Sequence, residues 1–381
     1  MNRKITTTLL LVALTTSLFA QKIKVANAIT FQEAGDLKNA YTSIMEALNP
    51  NDPVAAKKTL NWARAWEVKG DILYDVHKMG IRNITYEPLL ESYSAFKRAM
   101  ELDPKNRLFA DIKETLYQMQ PNLAETAIKA YKLGRFDVAL DGFKKYLEIS
   151  NLPLLKDEIP IKVDTTIYYN AGLSAFSSKA WTEAIEFFSI TAQKPHFGED
   201  SYFYLYGVHQ AQKDTLKQYE TLKQGFVKYP DSENINIELV KFCIETKRPE
   251  EAVTYIDFAI KRSPENATFY SLKGRALEDA GNDSEAIDAY LKAIELDDNL
   301  FVPTYNLAVI YFNRGVNIIN SAIKLPQDAT DEFDQQVALG TQELVNGLPL
   351  FEKAKILNPS DENVKESLRI IYAQIEKNTT K

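Results

Sequence analysis

The sequence predicts an all-α protein: a solenoid of stacked helix-turn-helix repeats closed by a C-terminal helix. Three observations carry that prediction. Small and aromatic residues recur at a period of about 34 residues through most of the chain. Within each period the apolar residues sit at helical spacing on both sides of one turn. Gly is otherwise scarce, 14 in 381 residues, which disfavours turn-rich all-β architectures.

The first element is an address. Arg3 and Lys4 precede an uncharged stretch from Thr6 to Phe19, and Ala20 precedes Gln21. This is the layout of a secretory signal peptide, and the stretch is shorter than the roughly 20 residues that span a bilayer. Residues 1–20 are therefore expected to be removed between Ala20 and Gln21. That leaves no transmembrane segment in the mature chain and places it in the periplasm or another exported compartment. A second cut after Ala28 is disfavoured, because Ala28 holds a small-residue position of the first repeat. No Cys stands near the cut to accept a lipid.

The clearest repeat is Ala267–Leu300, ATFYSLKGRALEDAGNDSEAIDAYLKAIELDDNL. Gly281 falls where the first helix must end, in a left-handed conformation that Gly adopts without strain. Gly274 and Ala286 are expected where the two helices cross. Counting outward at the same period finds Gln21–Val54, Gln120–Pro153, Thr165–Gly198, Asp200–Asp231, Glu233–Asn266 and a unit opening at Phe301. Two units are interrupted. Trp66, Gly70 and Leu73 disagree in register with Phe96, Ala99 and Pro104, so an insertion is placed near 79–88. The last unit is stretched across 316–342, where two long helices are expected to form a hairpin, the second kinked near Val345–Pro349. About eight repeats cover 21–360, and 361–381 forms a capping helix and tail, with Val364, Leu368, Ile371 and Ile375 on one face.

Taken as a set, Tyr270, Gly274, Ala286, Tyr290 and Ala293 resemble the tetratricopeptide repeat (TPR), with Lys273 in place of the usual Leu and Asp298 in place of the closing Pro. The resemblance implies a right-handed superhelix whose concave groove is lined by the first helix of each repeat. It further implies which repeat positions meet a partner. Carried onto this chain, the groove positions give Tyr169, Leu173 and Phe176 from one repeat, and Tyr204 and Val208 from the next. The last repeat adds Tyr305, Val309 and Phe312. The carboxylate clamp of co-chaperone members is not reproduced: Lys241 stands alone, and Asn170 and Asn306 fall one place off the groove.

Several chemistries lose their markers. The net charge of −7, from 45 Lys+Arg and 52 Asp+Glu, argues against nucleic acid as a partner. The single Cys243 excludes a disulfide framework and lies on an apolar stripe with no basic neighbour to activate it. His77, His196 and His209 lack ligand partners at helical spacing, and no G-x-S-x-G, P-loop or dinucleotide motif occurs. No cofactor and no metal are expected. The sequence reading is an exported, non-enzymatic adaptor that binds a protein or peptide partner in the bacterial cell envelope. The alternatives are an envelope enzyme or substrate-capture protein with a site in the insertions, or a structural spacer.

Overall fold

A computed structural model describes residues 21–53, 57–156 and 164–379. The expected signal peptide, including Ala20 of its cleavage site, lies outside the described residues. All regular secondary structure among the described residues is helical. The chain divides into two compact units, one ending at Phe197 and one opening at Gly198.

In the first unit, α1 (21–33) pairs with α2 (Leu37–Ala47), and α3 (Ala63–Lys78) with α4 (Pro88–Glu101). α5 (Phe109–Lys132) pairs with α6 (Phe136–Asn151), and, after a four-residue helical turn at Pro153–Lys156, α7 (Thr165–Ser177) with α8 (Trp181–Thr191). The second unit continues with α9 (Gly198–Ala211), α10 (Thr215–Lys228), α11 (Glu233–Glu245), α12 (Pro249–Arg262), α13 (Ala267–Asp279) and α14 (Asp283–Leu296). It ends with α15 (Phe301–Ala322), α16 (Thr330–Leu357) and α17 (Glu362–Thr379).

The turn inside most pairs is one backbone motif used repeatedly. Asp36 N–H donates to Phe31 O while Gly35 N–H donates to Gln32 O, and Gly35 sits at φ +76°. This is the helix-ending arrangement that satisfies two orphan carbonyls at once. It recurs at Gly80, Gly134, Lys179, Lys213, Lys247 and Gly281, all at positive φ. The last four follow one another at 34-residue intervals.

Close approach of paired helices rests on a glycine facing an aromatic ring. A Cβ on Gly274 would lie 2.5 Å from the Tyr290 ring, one on Gly172 2.8 Å from Phe188, and one on Gly70 2.6 Å from Phe96. The partner of Gly274 in its hairpin is thus Tyr290, and Ala286 is buried in the core with Leu277, Leu307 and Ile310.

Two elements are longer than the repeat count implies. α5 opens at Phe109, well ahead of Gln120, because Ile112, Leu116 and Met119 extend its apolar stripe into the core formed with Leu89, Tyr93 and Phe96. Pro121 lies inside this helix. In the last hairpin Gly315 is interior to α15: a Cβ there would come 2.6 Å from Gly340 O, and one on Gly340 2.8 Å from Gly315 O. The two backbones touch at paired glycines, which lets α15 and α16 run alongside each other. Val364, Leu368 and Ile371 of α17 close over Phe351, and Gln374 Nε2 reaches Thr341 Oγ1 at 3.5 Å, so α17 follows α16 back along the stretched hairpin.

Candidate functional site

In the first unit, the first helices of successive pairs place two kinds of surface at equivalent repeat positions. On α5 and α7 the surface is apolar. Ile128, Tyr131 and Lys132 of α5, Phe143 of α6, and Asn170 and Leu173 of α7 line a cleft of about 190 Å³. Ile128 is 38% exposed and contributes open apolar surface to the cleft. Beside the cleft, Tyr169 stacks on Phe197 at 4.4 Å between ring centroids and meets Phe188 edge-on at 6.0 Å. Phe176 meets Trp181 edge-on at 5.7 Å. Both rings are half-buried. Ile128 and Tyr131 were missed by the sequence reading, although counting nine and twelve from Gln120 reaches them. Asn170, placed off the groove by that count, lines the cleft with Leu173.

On α3 the equivalent positions are charged. Glu67 is 2% exposed, accepts from Arg64 Nη1 at 2.7 Å through one oxygen, and has no partner for its buried Oε2. Asp71, one turn later, has no hydrogen bond or ion pair among the described residues. Burial, then the Glu67 carboxylate, pushes its carboxyl up to about 7, with Asp75 and Asp111 adding to the effect and Arg64 opposing it. Burial also raises Glu67, against the pull of Arg64. Asp75 is satisfied by Gln32 Nε2 at 2.7 Å and Lys78 Nζ at 2.8 Å. The sequence signal was present as three acids at i, i+4 and i+8, a spacing that puts them on one helix face.

In the second unit the candidate residues divide. Val208 is fully buried, so it packs the core of its unit and offers no surface to a partner. The cause is the close packing of α9, which also buries Ser201, Leu205 and Tyr206. Tyr204 is half-buried. Tyr305 stacks on Phe301 at 5.4 Å and meets Phe351 edge-on at 6.2 Å, while Phe312 meets Phe351 at 6.0 Å. Val309 packs on the same cluster. These three side chains wall the core of the last hairpin on one side and keep part of their surface open on the other. The two repeats between them, α11 to α14, are polar: Lys241 pairs with Glu238 at 2.9 Å and Arg275 with Asp279 at 3.1 Å.

The nucleophile and ligand candidates are held in unreactive settings. Cys243 is fully buried and its thiol is pushed up to about 12 by that burial. His209 is 6% exposed and held below its ordinary value by burial. Among the described residues, no three His, Cys, Asp or Glu side chains come together as metal ligands.

Residues 245–300 match the family model of the tetratricopeptide repeat. No curated protein matches the chain. Solved structures similar to it include the C-terminal part of a TPR repeat-containing protein from Cytophaga hutchinsonii, at 13% identity and TM-score 0.47, covering 78% of this chain and 98% of that one. MamA from Desulfovibrio magneticus RS-1 is 13% identical with TM-score 0.38, covering 52% and 97%. YrrB, described as a TPR protein with an unusual peptide-binding site, is 15% identical with TM-score 0.39, covering 52% and 97%.

Proposed function

We propose that this tetratricopeptide-repeat chain is an exported adaptor that binds a protein or peptide segment in the bacterial cell envelope and acts by binding, not by catalysis. The observation that carries the reading is the cleft between α5 and α7. Ile128, Tyr131 and Leu173 leave apolar surface open at successive repeat positions, where a solvated helix face would carry polar residues. Tyr169 and Phe176 flank it with rings held by aromatic neighbours, so little side-chain entropy remains to be lost when a ligand packs against them. An extended or helical segment presenting apolar side chains fits such a row. The polar rim of Asn170 and Lys132 can bond to its backbone.

Two further points support binding over catalysis. The thiol is buried, and burial holds His77 and His209 below their ordinary values. What supports the exported address is the basic start, uncharged stretch and Ala20 of residues 1–20.

The test is co-purification of crosslinked complexes from envelope fractions, comparing the natural chain with a Tyr131→Ala, Leu173→Ala double variant. Recovery of one partner at a defined ratio, reduced by the double variant at unchanged helicity, supports the reading. Identical recovery by both chains removes the cleft from it, and protein that still carries Met1 in those fractions removes the export.

A further inference from the structure

We propose that α3, together with the first turn of α5, forms an acidic seat for a basic side chain, best an arginine, carried by the bound polypeptide segment. The inference rests on the reading of this unit as a partner-binding surface, and it names one feature of the partner. Four acids act on one another here: Glu67, Asp71 and Asp75 lie along one face of α3, and Asp111 of α5 is near enough to raise both Glu67 and Asp71. Asp75 is paired with the Lys78 ammonium and accepts a hydrogen bond from Gln32 Nε2. Asp111 stands in the first turn of its helix, where the helix dipole favours a negative charge without a counter-ion. Asp71 has neither a contacting counter-ion nor a helix terminus, and Arg64 acts on it only through space. It lies mid-helix with no hydrogen bond or ion pair among the described residues, and it keeps part of its surface open.

Glu67 supplies the second, independent observation. Its side chain is 98% removed from solvent (2% exposed), yet only Oε1 is met, by Arg64, and Oε2 has no donor at all. A buried carboxylate oxygen without a donor costs free energy that a fold normally avoids, and here it is retained one turn from an unpaired aspartate. One incoming cation answers both, by a direct bond to Asp71 and by its field on the buried Glu67 oxygen. A metal ion is the poorer fit, since these acids do not come together as a ligand group. A guanidinium suits them, because its planar fork of five donors can bond Asp71 while its charge answers Glu67 behind it.

The test is carboxyl-detected NMR of the whole chain at pH 8, where Asp71 is ionised, titrated with N-acetylarginine amide. The neutral citrulline counterpart and sodium chloride at equal concentration serve as controls. The expected result is a saturable shift of the Asp71 and Glu67 carboxyl resonances with the arginine probe, at least about tenfold weaker with citrulline. Asp71→Asn should abolish it and Asp71→Glu restore it, with the thermal melt confirming that both variants are folded. Equal responses to citrulline or to salt, a response that survives in Asp71→Asn, or no saturable response would each overturn the seat. If the arginine probe titrates Asp71 while no partner is captured at the α5–α7 cleft, the partner reading fails and the seat stands; the converse sinks the seat alone.

Discussion

Lys179, Lys213 and Lys247 occupy the turn position that Gly35, Gly134 and Gly281 fill elsewhere, at φ between +58° and +62°. An L-residue there is strained by about 1–2 kcal/mol, because its Cβ crowds the following carbonyl. The side chains are exposed and do nothing in the turn that Gly cannot do. Each Lys→Gly change is therefore expected to stabilise the fold by about 0.5–1 kcal/mol, after allowance for the greater freedom of Gly in the unfolded chain. A shift of the urea midpoint to higher concentration checks it. Gly274→Ala acts in the opposite direction: its methyl meets the Tyr290 ring at 2.5 Å, and the ring is anchored by Glu278 and by Asn306. The expected cost is about 1–3 kcal/mol, comparable to that of Ala286→Leu in the adjoining core; an unchanged melting temperature for either would mean that the hairpin has room these contacts deny. Asp71 gives a pH signature. Its folded carboxyl titrates near 7, above its unfolded value of 3.8, so the folded state binds the extra proton between those values and stability falls as pH rises from about 4 to about 7. Asp71→Asn should remove that slope, so that the variant is the more stable at pH 8 and the two chains converge near pH 4. Denaturant melts across that range decide it.

At the scale of elements, the period of small residues and turn signals was enough to place the helix pairs, because a hairpin needs one left-handed turn and one close crossing, and both leave marks in sequence. The period could not show where a helix overruns its repeat. The additional turns of α5 are made of Ile112, Leu116 and Met119, an apolar stripe with no small-residue marker, and Pro121 inside the helix reads locally as a boundary. In the last hairpin the reverse holds: the apolar stripe beyond Gly315 was legible, but the pairing of Gly315 with Gly340 was not, since nothing in one helix announces which glycine of the other it will touch. That pairing is testable. Gly315→Ala drives a methyl to 2.6 Å from the Gly340 carbonyl, backbone that cannot rotate away, and should destabilise α15–α16 by at least about 1–3 kcal/mol. Deleting 316–342 and closing the ends with a short turn removes the part of α16 that the end of α17 lies against. Hydrogen exchange should then show lost protection from Ile371 onward and retained protection in α1 to α8.

For the whole molecule, a chain of hairpins does not itself specify a ligand, and what it binds is written in which repeat positions are left open. Leu173, a groove position by the repeat count, lines the cleft, while Tyr169 is half-buried against Phe188 and Phe197, and Phe176 against Trp181. Val208 was misplaced because a groove position and a core position on α9 differ only in how tightly the neighbouring helices close, which one helix's sequence does not record. Glu67 and Asp71 were passed over because acids at helical spacing ordinarily mark a solvated face, and only burial distinguishes them. Docking of a partner at the α5–α7 cleft is open to site-specific photo-crosslinking in cells. A benzophenone amino acid is placed at Ile128 or Leu173 in the cleft, and at Ser189 on the exposed face of α8 as the control. Docking at the cleft yields one discrete crosslinked species from the two cleft positions and none from Ser189. Equal labelling from all three positions, or none from Ile128 and Leu173, would contradict it.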